Sequence, residues 1–202
     1  MTLSKKIPVF LIILFVLSCV SEPEKKYFIF TTDSKRVNIT NSPGLVIVTN
    51  LSNPEAAKMS ELIAENFEKK GILKIDKPVD YNTEFRGAAN LFAADNLNNP
   101  YITKEGKTLI REVQSKLNSK YIFFINLKEE EPEFGGCLST GGKNIIYGFS
   151  GILTGSSSEI IGISSFRMSL ESSFNPLRDT ENLFKENAII VVDEIIKELE
   201  KR

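Results

Sequence analysis

Two kinds of hydrophobic pattern alternate along this chain: short β-branched runs and stripes at helical spacing. LVIVTN, residues 45–50, follows the turn signal SPG and is apolar on both parities, which predicts a strand buried on two faces. In NPEAAKMSELIAENFEKKG the apolar positions Ala56, Met59, Ile63 and Phe67 form one helical stripe. Asn53 is placed to cap that helix, Pro54 suits its first turn and Gly71 its end. ILKI, residues 72–75, predicts a short strand stopped by Pro78. Across residues 80–100, Phe85, Ala88, Phe92 and Asp95 permit a short helix, while Gly87 and the Asn-rich end favour an irregular lid or loop. Thr103 opens a second helix, with Gly106, Leu109 or Ile110, Val113 and Leu117 on its inner face, and KYIFFINL, residues 120–127, predicts another central strand.

From Lys128 to Asn144 the chain is acidic, then glycine-rich, with no apolar period, and reads as a long loop. IIYGFSGIL and EIIGISSFRMSLE follow as two strands joined by TGSSS. In the second, Ile160, Gly162, Ser164, Phe166, Met168 and Leu170 share one face and Arg167, Ser169 and Glu171 the other, so the sheet has a wet face. Asn175 and Pro176 break the chain before a long terminal helix striped by Phe184, Ala188, Val191, Val192, Ile195 and Leu199, whose basic end complements its dipole. Upstream, YFIF (27–30) and RVNIT (36–40) suggest a hairpin or edge. The elements add up to an α/β (α+β) sandwich: a mixed sheet of about four to six strands packed by three or four helices, in one domain over residues 43–202.

The N-terminus changes the picture. Lys5 and Lys6, then IPVFLIILFVL, then Ser18 have the layout of a signal peptide over residues 1–18, with an apolar core too short and too asymmetrically flanked for a durable span. VLSC resembles the lipobox of bacterial lipoproteins, cut before a cysteine that carries a diacylglycerol; Ser18 then precedes the cleavage and Cys19 is the lipid attachment. Val16 and Leu17 depart from the strict box, in the manner of the looser boxes of spirochaete lipoproteins. The competing reading is an apolar thiol closing a retained anchor. Residues 19–42 hold the lipidated end, the tether VSEPEKK and the short strands. Burial of each acyl methylene contributes about 0.8 kcal/mol, so two or three chains hold Cys19 in a bilayer persistently. The expected location is the cell envelope, with the outer membrane preferred to the inner and the domain in the periplasm or on the surface.

Charge and composition then exclude several functions. Without Lys5 and Lys6, 23 basic residues face 26 acidic ones, a net charge of −3, which favours neither nucleic acid nor an anionic membrane surface as partner. The chain has no histidine, so Cys137, the thiol left after acylation of Cys19, lacks a base and reads as an apolar filler. GGCLSTGGKN approaches a phosphate loop at Gly142 and Lys143, but Cys137 and Asn144 stand where a glycine and a hydroxyl are needed, and a strand follows instead of a helix. The acidic run at 128–133 lacks the spacing of a calcium loop, and zinc lacks ligands. A serine nucleophile would need Lys or a carboxylate as base, and no convincing setting for one appears; paired glycosidase carboxylates are not excluded by spacing. The expectation is no enzyme, no metal, no cofactor and no catalytic residue.

The element order, LVIVTN plus helix, helix plus YIFFINL, then a hairpin turning at TGSSSEIIG, resembles the periplasmic α/β domain of penicillin-binding-protein activator lipoproteins over residues 43–202. The curli-secretion lipoproteins and the N-terminal domain of TolB are similar. The resemblance implies a non-catalytic envelope lipoprotein that binds another envelope component, a protein, in an activating or assembly role, with the 128–144 loop and the 80–100 segment as contact surface. Two alternatives stand beside it. One is surface display for host or environmental ligands. The other is an oligomeric secretion pore with 144–153 and 159–170 as membrane hairpin, opposed by Arg167 and the want of an aromatic girdle. Oligomeric state is left open.

Overall fold

The computed structural model describes residues 29–30, 44–71, 74–86, 91–94, 100–130, 145–170 and 176–200. Ser18, Cys19, RVNIT and residues 131–144, Cys137 included, lie outside the described residues. Seven strands form one mixed sheet, six strands wide. From one edge, β1 (Ile29–Phe30), β9 (Ile160–Leu170), β8 (Ile145–Thr154) and β7 (Tyr121–Glu130) pair antiparallel in that order. β7 then runs parallel to β2 (Gly44–Thr49), and β3 (Lys74–Ile75) and β4 (Val79–Asp80) pair in succession with the two ends of β2 to close the other edge. The near-continuous apolar runs fall where expected, on β2 and the first half of β7, because helices cover both faces there.

One face is fully roofed. α1 (Pro54–Lys70) and α4 (Pro176–Glu200) lie on it side by side, burying Met59, Ile63 and Phe67 from the first helix and Phe184, Val191, Val192 and Ile195 from the second against Ile47, Phe123 and Phe149 of the sheet. α1 begins as the sequence requires: Asn53 Oδ1 accepts from the amides of Glu55 and Ala56 at 3.0 and 3.1 Å, Pro54 occupies the first turn, and Gly71 ends the helix at φ 66°. The Asn53 amide also donates to Leu127 O at 3.1 Å, so the cap ties the helix start to β7.

The opposite face is roofed over only part of its area. α3 (Lys104–Lys116) buries Ile110 and Val113 on Val46, Ile122 and Phe124, with Leu109 and Leu117 half-buried beside them. Beside it sit the single turn α2 (Tyr81–Glu84) and a separate hairpin, β5 (Phe92–Ala94) with β6 (Pro100–Ile102). Thr103 caps α3 by accepting from Gly106 N at 3.0 Å, while its own amide donates to Leu91 O at 3.0 Å. A side chain at Gly106 would collide with that same carbonyl, which is why a glycine occupies the first turn of α3. Buried Gln114 donates to the carbonyls of Lys120 and Gly155 at 2.8 and 2.9 Å and accepts from Ser158 Oγ at 3.2 Å, fastening α3 to the β8–β9 turn.

Four expectations need correction. Phe92 lies on a strand, not on a short helix, and the 80–94 stretch contains β4, α2 and β5 where an irregular lid was expected; Ala88 and Asp95 lie outside the described residues. β7 continues through Lys128 and Glu129 to Glu130, so the acidic run begins as strand, with Lys128 and Glu130 on the face of Asn126 and Glu129 on the opposite one, across from Tyr147. Ile160 leaves the face assigned to it: the register shifts at Leu153/Thr154, and the bulge puts Ile161 in the roofed core and Ile160 on the opposite side. Pro176 starts α4 instead of preceding it, in the position where a missing amide costs nothing. Ile29–Phe30 makes an edge, as the YFIF run suggested.

Candidate functional site

Pleating dictates what the partly roofed face shows. Reading across β7, β8 and β9 in register, Phe124, Ile152 and Ile163 form an apolar row, and Asn126, Ser150 and Ser165 form the next. Lys128, Gly148 and Arg167 make a third. Rows on one face are about 6.8 Å apart along the strands. The apolar row continues under the α2 and β5 side, where Phe124 meets Phe85 and Phe92 edge-on at 5.2 and 5.1 Å, and Tyr81 stacks on Phe85 at 5.6 Å. The second row is exposed.

Where the roof stops, a cleft of about 520 Å³ opens. Its floor is made by Phe124 and Asn126 of β7, Ser150 and Ile152 of β8, and Ile163 and Ser165 of β9. Val48 and Asn50, at the carboxyl end of β2, and Tyr81, Asn82 and Phe92 make the wall. The site therefore lies just past the carboxyl end of β2, on the sheet face that β7, β8 and β9 continue beyond it. The wall is held by short polar contacts: Asp80 accepts from Leu51 N at 3.0 Å and from Thr83 N at 3.1 Å, and Asn82 donates to Asn50 at 3.3 Å. Burial pushes the Tyr81 phenol above its ordinary range, so it stays neutral. Among the described residues no charged side chain lines the cleft.

The charges begin one row farther. Arg167 Nε meets Glu130 Oε2 at 2.8 Å, and the Glu130 side chain reaches it by crossing over Gly148, where a side chain would collide with the carboxylate. This exposed pair contributes little to stability and fixes the orientation of two long side chains beside the cleft. A second crevice, between α1 and the β3 edge, carries exposed Glu61, Glu65 and Glu68 with Asp76 and Lys77, and has the look of a solvated helix flank. Among the described residues no group of three or more His, Cys, Asp or Glu side chains is arranged to hold a metal.

Of the contact surface expected from the sequence, the 80–94 part forms a wall of the cleft and Lys128 to Glu130 flank it on β7. The floor residues were missed, being spread from Phe124 to Ser165. The available signal was the interruption of apolar strands by Asn126, Ser150 and Ser165. The residues expected to carry attachment and cleavage, Cys19 and Ser18, and the near phosphate loop at Gly142 and Lys143 lie outside the described residues.

No protein-family model and no curated protein matches this sequence. Among solved structures, the chain is similar to the lipoprotein GNA1162 from Neisseria meningitidis, at 10% identity and a TM-score of 0.35, over 79% of this chain and 100% of that one. So loose a likeness carries neither fold nor function across. The resemblance to penicillin-binding-protein activators rests on element order alone.

Proposed function

We propose that this chain is a lipid-anchored envelope protein that binds another envelope component and catalyses nothing. The observation that carries the anchor is the apolar run closing on Leu17, Ser18 and Cys19 behind Lys5 and Lys6, followed by a polar tether. The binding half of the reading is supported by the cleft: a preformed concavity whose floor sets amide and hydroxyl groups beside apolar side chains, with no nucleophile and base side by side among the described residues. The partner is a protein of the envelope that meets the partly roofed face, in an activating or assembly role.

Cys19→Ala tests the anchor. The native chain partitions with membranes, incorporates labelled fatty acid and has a mature N-terminus at Cys19; the variant loses the label and appears in the soluble fraction. A native chain still beginning at Met1 and carrying no acyl group would sink the proposal. Against a pore, the apolar side of the β8–β9 hairpin is already engaged: Phe149, Phe166 and Met168 are buried in the core that α1 and α4 roof.

A further inference from the structure

We propose that the cleft on the partly roofed face also binds a neutral saccharide unit; this rests on the binding role proposed above and adds a glycan ligand to the protein partner of that face. The first ground is a floor of polar side chains that face solvent and are open to exchange water for a ligand. Asn126, Ser150 and Ser165 stand in register on three adjacent strands, all exposed, and none has a side-chain hydrogen bond to another described residue. Amide and hydroxyl groups both donate and accept, which matches sugar hydroxyls, groups that also do both.

The second ground is the row beside them. Ile152 and Ile163, both half-buried, with half-buried Phe92 on the wall over the largely covered Phe124, give an apolar surface for the C–H face of a pyranose ring. The third is charge. An anionic ligand would want a cation in the lining, and Lys128 and Arg167 lie one row away, the latter against Glu130. An extended peptide is less well served, because it is held by backbone bonds at a sheet edge, whereas the cleft opens on a face whose backbone bonds are spent within the ladder. At about 520 Å³ the cleft holds one or two sugar rings.

Titration of the purified full-length chain, followed by NMR of the Asn50, Asn82 and Asn126 side-chain amides, tests this. N,N′-diacetylchitobiose stands for an N-acetylated cell-wall glycan and maltose, in a separate arm, for an unsubstituted glucan. One of them shifts those amides with Kd near about 1 mM. Asn126→Val and Ser150→Val, substitutions at exposed strand positions that leave the thermal melt in place, each weaken binding at least tenfold. No shift with either sugar at about 10 mM overturns the proposal, since a millimolar site is filled there. So does binding that both variants leave intact. If the sugars fail while a photocrosslinker at Asn126 still captures an envelope component, the saccharide falls and the binding face stands; if both fail, both readings fall.

Discussion

The two faces of one sheet have been finished differently. The face under α1 and α4 is closed by large apolar side chains from every strand between β2 and β9, and Phe123, Ile47 and Met59 are shut off from solvent. The face under α3 is closed only from β2 to the first half of β7, and beyond Phe124 it passes within one row to exposed Asn126, Ser150 and Ser165. Both faces belong to the same strands, so the difference cannot lie in backbone pairing; it lies in how far each roof extends. A roofed face spends its side chains on stability, and a partly roofed one keeps some for binding.

The sharpest way to break this contrast is to damage the closed face. Phe123→Ala removes a fully buried ring that lies close against Gly151 and should destabilise the domain by about 3–5 kcal/mol in denaturant unfolding. A loss below about 1 kcal/mol would mean that the closed face is not the core. Gly106→Ala probes the smaller roof. In an ordinary helix the change stabilises by up to about 1 kcal/mol, but here the new methyl meets Leu91 O, so a loss of about 1–3 kcal/mol and faster amide exchange over residues 91–102 are expected. A gain in stability would show that the hairpin does not press on α3.

A smaller effect comes from titration. Burial raises the Tyr121 pKa, helped by Glu159, and burial also raises that of Tyr147, where a hydrogen bond with Thr180 opposes it and Glu129 and Glu55 assist. A phenol with its folded pKa above 10.0 contributes stability that is complete below pH 10.0 and is lost as pH rises through the folded value, because the folded state then holds more protons than the unfolded one. Tyr121→Phe should flatten the alkaline fall in unfolding free energy. An equally steep fall in the variant would remove Tyr121 from the account. The smallest effect belongs to the wet rows: Asn126→Val and Ser165→Val should each shift stability by no more than about 0.5 kcal/mol.

Much of this fold is legible in the sequence because its long elements carry their own period. α1, α3, α4 and the strands β2, β7, β8 and β9 all follow from stripes, runs, caps and turns. The short pieces are not legible. β4 has two residues, α2 four and β5 three, so none has a period to read. They exist because Asp80 caps and clasps its neighbours, and because Phe85 and Phe92 find Phe124, a partner more than thirty positions away. Ile160 illustrates a different limit. A single bulge reverses the parity of a strand, and no alternation pattern announces it. The cleft was hidden for the reason most sites are: its floor needs three strands in register, and only the sheet supplies that.

The most direct test of the central claim compares the two sides in intact cells. A photocrosslinking residue at Asn126, on the partly roofed face, is set against one at Glu186, exposed on α4. The account predicts a discrete adduct with an envelope component from position 126 and none from position 186. An adduct from position 186 alone would contradict it, because binding would then belong to the back of the closed face.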